Sequence, residues 1–244
     1  MQRPTTRLDV ELARRGLAES REGARRLVMA GRVRVDSRPA AKPDQRVGPA
    51  NVITIIEAPS FASRAAHKLI AALDAFGIDV SRRMALDVGA STGGFTDVLL
   101  KRGAGHVIAV DVGYGQLALR LRDDARVTVM DRTNARYLEP DCLPYLPDLA
   151  TIDASFISLR MLLPAVARCA AAHADIIALI KPQFEVGREK VGKGGVVRDE
   201  QARQAAVAGL LDFARTIGLA PAGVIESPIR GAKGNVEFLL LLRR

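Results

Sequence analysis

Residues 85–100 read ALDVGASTGGFTDVLL, an apolar run that breaks at a glycine-rich turn and resumes at helical spacing. Met84, Leu86 and Val88 form a short buried strand. Gly89, Gly93 and Gly94 let the backbone turn sharply and approach a ligand, and Phe95, Val98 and Leu99 recur with the period of a helix. Strand, tight loop and helix N-terminus in that order place a ligand site at the carboxyl edge of an open α/β sheet.

Working outward, HVIAVDVG (106–113) is a second parallel strand with Asp111 at its carboxyl end, 24 residues past Asp87 and suited to accept hydrogen bonds from ribose hydroxyls. RVTVMDRTNAR (126–136) gives a third, with Asp131, Arg132 and Asn134 where a cofactor base would lie. DLATIDASFIS (148–158) gives a fourth, which Asp153 leaves ahead of Ser155, Phe156 and Ser158. DIIALIKPQFEVG (175–187) is a fifth, ending in Lys181 and Pro182. The glycine-rich, basic stretch at 187–198, with Arg188, Lys190 and Lys193, reads as a mobile loop. A helix at 199–217 leads into two closing strands, GVIESPI and NVEFLLLL, the second carrying Glu237. Upstream, SRAAHKLIAALDAF (63–76) is a helix with Leu69, Ile70, Leu73 and Phe76 on its buried side and Lys68 near its beginning. The alternation predicts an α/β fold, a doubly wound sheet with an antiparallel C-terminal hairpin at its edge.

The 244 residues carry a net charge of +9, and twelve Lys and Arg stand against six Asp and Glu within residues 1–50. This N-terminal stretch has its own pattern. A helix runs over 8–15 with Gly16 as its stop, and Ser20 caps a second that Gly31 ends. RVRVDSRPA is a half-buried strand with a basic outer side, and 52–56 is another. Arg7, Arg14, Arg15, Arg21, Arg25, Arg26, Arg32 and Arg34 line consecutive elements of one compact α+β unit, which is how a phosphate-tracking surface is built; Arg64, Arg188, Lys190 and Lys193 extend the set. The expected division is 1–58, a linker at 59–62, and 63–244. Cys142 and Cys169 lack partners at metal or disulfide spacing, so no metal site is expected and a cytoplasmic setting fits. Neither a signal peptide nor a run of about 20 apolar residues is present, so no membrane association is expected, nor is an obligate protein partner indicated.

The loop GASTGG lacks the G-x-G start that brings a helix N-terminus onto a pyrophosphate. S-adenosylmethionine has no phosphates and carries a sulfonium cation, so the looser turn and the acids suit it better. The expected cofactor residues are Asp87, Gly89, Ser91, Thr92, Gly93, Gly94, Phe95, Asp111, Arg132, Asn134 and Asp153. Lys68, Asp153, Lys181 and Glu237 should converge on the same rim of the sheet. Singly, each reads as a salt-bridged surface residue; together they suit methyl transfer to a ribose hydroxyl, a poor nucleophile that needs a positioned base. Lys181 is the expected base, with Lys68 and Asp153 orienting the ribose and Glu237 holding Lys68 or Lys181 in place.

LDVGASTGGFTDVLL, the SR-x-x-x-KL around Lys68, DVGYGQL, DRTNAR, ASFISL, KPQFEVG and GNVEFLLLL resemble the TlyA (hemolysin A) family of ribosomal RNA 2'-O-methyltransferases, and RLDVELARRGLAESREGARRLVMAGRVRVDSRPA resembles an S4 RNA-binding domain. The resemblance implies an S4-like domain fused to an FtsJ-type Rossmann-like methyltransferase. It places the family's Lys-Asp-Lys-Glu tetrad on Lys68, Asp153, Lys181 and Glu237. It also implies methylation of cytidine in ribosomal RNA within ribosomal subunits, with a link to capreomycin and viomycin sensitivity. The chain departs from the family at Ala65 and Ala66, where glycine usually follows Ser-Arg, and at Pro59, Ser60, Phe61 and Ala62. It stops at Arg244 without the extension that accompanies dual action, which favours 23S over 16S RNA as the target. Two other readings stay open here, a non-catalytic ribosome-assembly factor and a pore-forming hemolysin; the lack of a membrane segment speaks against the second.

Overall fold

The computed structural model describes residues 5–56 and 60–244, which form two compact units dividing between Ser60 and Phe61. The first four residues of the expected N-terminal domain, its last two, and Pro59 of the expected linker lie outside the described residues.

The first unit comprises β1 (Thr6–Arg7), α1 (Leu8–Arg14), α2 (Arg21–Met29), β2 (Val33–Val35), β3 (Arg38–Pro39), β4 (Arg46–Val47) and β5 (Ile53–Ile55). Ser20 caps α2, its Oγ accepting the Gly23 amide at 3.0 Å. In β2, Val33 and Val35 are buried and Arg34 is exposed, as alternation dictates. Asp36 and Ser37 take left-handed φ values of 49° and 67° to turn the chain from β2 to β3. Leu8, Leu12, Ala24 and Val28 from the helices meet Val33, Val35, Val47 and Ile53 in a core of their own. The two-residue strands β1 and β4, which pair antiparallel, escaped the sequence reading.

The second unit comprises α3 (Ala66–Phe76), β6 (Met84–Val88), α4 (Gly94–Lys101), β7 (His106–Val110), α5 (Leu119–Arg122), β8 (Val127–Met130), β9 (Leu149–Ile152), α6 (Leu163–Cys169), β10 (Asp175–Ile180), α7 (Pro182–Glu185), α8 (Glu200–Thr216), β11 (Ala220–Glu226) and β12 (Phe238–Arg243). Seven strands form one sheet in the order β11-β12-β10-β9-β6-β7-β8. Those from β6 to β10 run parallel, and β12 runs antiparallel to both neighbours. The expected hairpin is present with its second strand inward. FLLLLR can be buried on both faces, whereas APAGVIE alternates exposed and half-buried positions, and so β11 takes the edge.

Each central strand divides its side chains between two cores. Leu86, Ile108, Ile176 and Leu240 pack on the face that receives α6 and α8; Ala85, Val107, Ile177 and Leu239 pack on the face of α3 and α4. The chain winds from β6 towards β8 on one side and from β9 towards β10 on the other. The carboxyl ends of β6 and β9 therefore flank a topological switch point, where open α/β sheets bind ligands.

Candidate active site

At the switch point the two backbones nearly touch. Gly89 has φ +81°, and a Cβ there would stand 2.7 Å from the carbonyl oxygen of Asp153, so only glycine lets the loop after β6 lie against the end of β9. The Gly89 and Ala90 amides both donate to the Val110 carbonyl, at 2.8 and 3.1 Å. Asp111 is fixed in turn, its carboxylate accepting the amides of Ser91 (2.8 Å) and Gly113 (2.7 Å). Between these loops lies a cleft of about 350 Å³ with Val88, Val110, Ala135 and Leu162 as apolar walls and Asp111, Asn134 and Asp153 as polar ones. The described lining holds two carboxylates and no lysine or arginine. It thus fits a cofactor with an apolar base, a ribose and a positive centre, and it does not fit a pyrophosphate.

A second cleft of about 350 Å³ shares Gly89, Ser91, Asp153 and Ser155 with the first and has the opposite charge, being lined by Arg64, Lys68, Lys181 and Arg230. Two inward ion pairs build its floor. Lys68 Nζ lies 2.5 Å from Glu237 Oε2, and Lys181 Nζ lies 2.6 Å from Asp153 Oδ1 while donating to Ser155 Oγ at 2.8 Å. Lys68, Lys181 and Glu237 are all buried. Topology explains the meeting. Asp153 and Lys181 follow parallel strands, whereas Glu237 precedes the antiparallel β12, whose start falls at the same rim. Of the alternatives left open by the sequence, Glu237 pairs with Lys68.

The other predicted residues fall in several places. Asp87 is fully buried, accepting from Thr96 Oγ1 (2.6 Å) and Thr151 Oγ1 (3.0 Å), and burial pushes its pKa up to about 6; it supports the loop from below and does not line the cleft. Thr92, Gly94 and Phe95 line the second cleft, while Gly93, φ +95°, packs against Leu117 and Leu121. Arg132 stacks over the Tyr114 ring, 4.3 Å from its centroid and outside the lining. Asn134 lines the first cleft and also accepts the Arg136 amide at 3.1 Å.

In the first unit, Arg7 and Arg21 grip the buried Asp9, and Arg14 and Arg15 grip the buried Glu11. Arg25, Arg26 and Arg34 are exposed, and Arg32 donates to the Ile56 carbonyl at 2.9 Å. Arg64, Arg188, Lys190 and Lys193 are exposed in the second unit. Arg230 and Gln183 were not singled out from the sequence, and Ser155 was placed in the loop after Asp153 without a role. Ser155 stood two residues from Asp153, and Arg230 sits in the Pro- and Gly-rich segment leading to Glu237, which was the available signal.

The doubly wound sheet, the cofactor-shaped acidic cleft and the basic cleft beside it are those of a Rossmann-like methyltransferase. The profile of the FtsJ-like methyltransferases matches residues 61–244, and that of the S4 domain matches 6–53. The chain is 52% identical over 97% of its length, and 89% of the relative's, to the 16S/23S rRNA (cytidine-2'-O)-methyltransferase TlyA of Mycobacterium tuberculosis. A solved structure from Streptococcus thermophilus, whose name carries the word hemolysin, superposes with a TM-score of 0.76 at 42% identity, covering 99% of this chain and 89% of that one. An S-adenosylmethionine dependent methyltransferase from Mesorhizobium loti shares the fold, with a TM-score of 0.54 at 18% identity over 71% of this chain and 96% of that one. The chain belongs to the TlyA family of FtsJ-like methyltransferases.

Proposed function

We propose that this protein transfers the methyl group of S-adenosylmethionine to the 2'-hydroxyl of a cytidine in ribosomal RNA, acting in the cytoplasm on ribosomal subunits, with 23S RNA as the main target and 16S RNA as the second. The observation that carries this is the wall common to the two clefts, where Lys181 Nζ is held between Asp153 and Ser155. When bound, the cofactor supplies an electrophilic methyl on a sulfonium centre. Gly89, Asp111 and Asn134 would hold it in the acidic cleft. In the basic cleft Lys181, once the ammonium of the resting ion pair has released a proton to solvent, takes the hydroxyl proton on its neutral amine as the ribose oxygen attacks, Asp153 keeps Nζ in place, and Lys68, held by Glu237, orients the ribose. Arg64 and Arg230 meet the flanking phosphates. The unit at 1–58 and the loop at 187–198 supply the remaining positive charge for RNA.

The test incubates the protein and labelled cofactor with separate small and large subunits and maps the modified ribose. Methyl incorporation at one cytidine is expected, with Lys181→Ala lowering the rate about 10²- to 10⁴-fold at unchanged cofactor affinity. Full activity in Lys181→Ala overturns the assignment of the base; subunit binding without incorporation overturns the enzyme reading in favour of an assembly factor. Capreomycin and viomycin susceptibility of a host lacking its own methyltransferase, with and without this protein, is the second readout.

A further inference from the structure

A third cleft, of about 300 Å³, opens on Lys181 and shares Lys181, Ser155 and no other residue with the basic cleft. Phe156, Phe184, Val191 and Ala232 give it apolar walls, and Gln183, Lys233 and Glu237 line it beside them. Gln183 lies in α7, two residues past Lys181, and its Oε1 is the one buried side-chain polar atom without a hydrogen-bond partner among the described residues. A buried amide left unpaired is a net cost to folding that packing alone does not explain. None of the donors lining the cleft bonds it: Lys181 Nζ is turned to Asp153 and Ser155, and neither Ser155 nor Lys233 is hydrogen-bonded to Oε1. A donor on a ligand seated in the cleft would supply the missing partner.

We infer that Gln183 is a specificity-determining residue that reads the base of the acceptor nucleotide and selects cytosine over uracil; this rests on the ribose methylation proposed above. A base is joined to the same ribose whose 2'-hydroxyl must reach Lys181, so a hydroxyl placed in the basic cleft carries its base towards the adjoining one. Apolar walls with a few polar groups, and this volume, suit a flat heteroaromatic ring. The atom that lacks a partner is an acceptor, and cytosine offers it the N4 amine as donor. Uracil places a carbonyl at the same position, which leaves two acceptors facing each other.

The test compares kcat/KM on ribosomal subunits carrying cytidine or uridine at the mapped position. The wild-type protein is expected to favour cytidine by about tenfold to a hundredfold, the discrimination of one well-made base contact. Gln183→Leu, nearly the same shape, is expected to lose most of that preference through a slower reaction on cytidine. Its rate on uridine should stay within about threefold, with Tm and cofactor Kd unchanged. Because a glutamine amide can turn over, Gln183→Glu, which when ionised carries acceptors only, is the second variant and is expected to keep the cytidine preference. An unchanged ratio in Gln183→Leu, an equal fall on both substrates, or a loss of preference in Gln183→Glu overturns the inference. An inactive wild type on the cytidine substrate instead overturns the methylation on which it rests.

Discussion

In the first unit Asp9 and Glu11 are buried, yet each is gripped by two arginines reaching in from solvent. In the second, both members of the Lys68–Glu237 pair are inside, and the buried Lys181 pairs with a half-buried Asp153. Hydrogen bonds from Arg7 and then Arg21 hold the Asp9 pKa down at about 2, and those from Arg14 and then Arg15 do the same for Glu11. Removing one exposed arginine leaves a second and water to solvate the acid. Removing one member of an inward pair leaves a charge with nowhere to go. Pairs of the first kind fasten a small fold. A pair of the second kind is often matched in stability by apolar residues of the same size, so its presence on the rim of a ligand cleft points to chemistry.

The largest effect should follow from breaking the inward pair. Glu237→Ala leaves the Lys68 ammonium buried and unpaired and should cost about 3–5 kcal/mol in urea denaturation. Arg21→Ala, which leaves Asp9 bonded to Arg7 at 3.0 Å, should cost about 1 kcal/mol or less. The double variant Lys68→Met with Glu237→Leu should recover most of the stability and none of the methyl transfer. Equal losses for Glu237→Ala and Arg21→Ala would erase the distinction between the two units.

A second effect separates the units by pH. Asp87 titrates at about 6 in the folded protein, above its ordinary 3.8, chiefly through burial, so the folded state binds the extra proton. Stability from this group is greatest below about pH 4 and is lost as pH rises to 6, by about 3 kcal/mol at 1.36 kcal/mol per pKa unit. Asp9 and Glu11 have the opposite sign, their contribution being present above about pH 4 and lost as pH falls towards 2. Amide exchange followed from pH 3 to 7 should show β6 and α4 loosening towards pH 6 while α1 loosens towards pH 3. Asp87→Asn should flatten the first trend and leave the second. A β6 profile unchanged by that substitution would mean that Asp87 is charged in the fold.

Much of the second unit was legible because its local signals agree with its topology. Apolar strands, the glycine turn at 89–94 and acids at strand ends all point to one sheet edge, and Lys68, Asp153, Lys181 and Glu237, expected on one rim, form two ion pairs there. What stayed hidden depends on long-range neighbours. Asp87 reads as a cofactor acid until Thr151 on β9 and Thr96 on α4 are seen closing over it. Glu237 could have held either lysine until β12 was seen to enter beside β10. Gln183 belongs to a four-residue helix whose surroundings come from residues 191–195 and 232–237, with no periodicity to announce them. In the first unit the arginines were legible as charge and not as clamps, although Glu11 stands three and four residues before Arg14 and Arg15 on one helical face.

That last point yields the smallest expected effects. Arg15 donates to Glu11 at 2.7 Å and to the Asn51 and Gly48 carbonyls at 2.8 and 3.2 Å, so its guanidinium ties α1 to the approach to β5. The side chains of Arg25 and Arg26 make no hydrogen bond or ion pair among the described residues and are exposed on α2. Arg15→Ala should therefore lower stability by about 1–2 kcal/mol. Arg25→Ala and Arg26→Ala should leave it within about 0.5 kcal/mol. RNA affinity should respond in the reverse order, each of the two α2 substitutions reducing the slope of log affinity against log salt by about 1. Two arginines that leave both the stability and the salt slope untouched would move the RNA-contacting role off α2. The charge of the first unit would then serve chiefly to hold its own buried acids, and the groove for RNA would have to be sought among Arg64, Arg230 and the loop at 187–198.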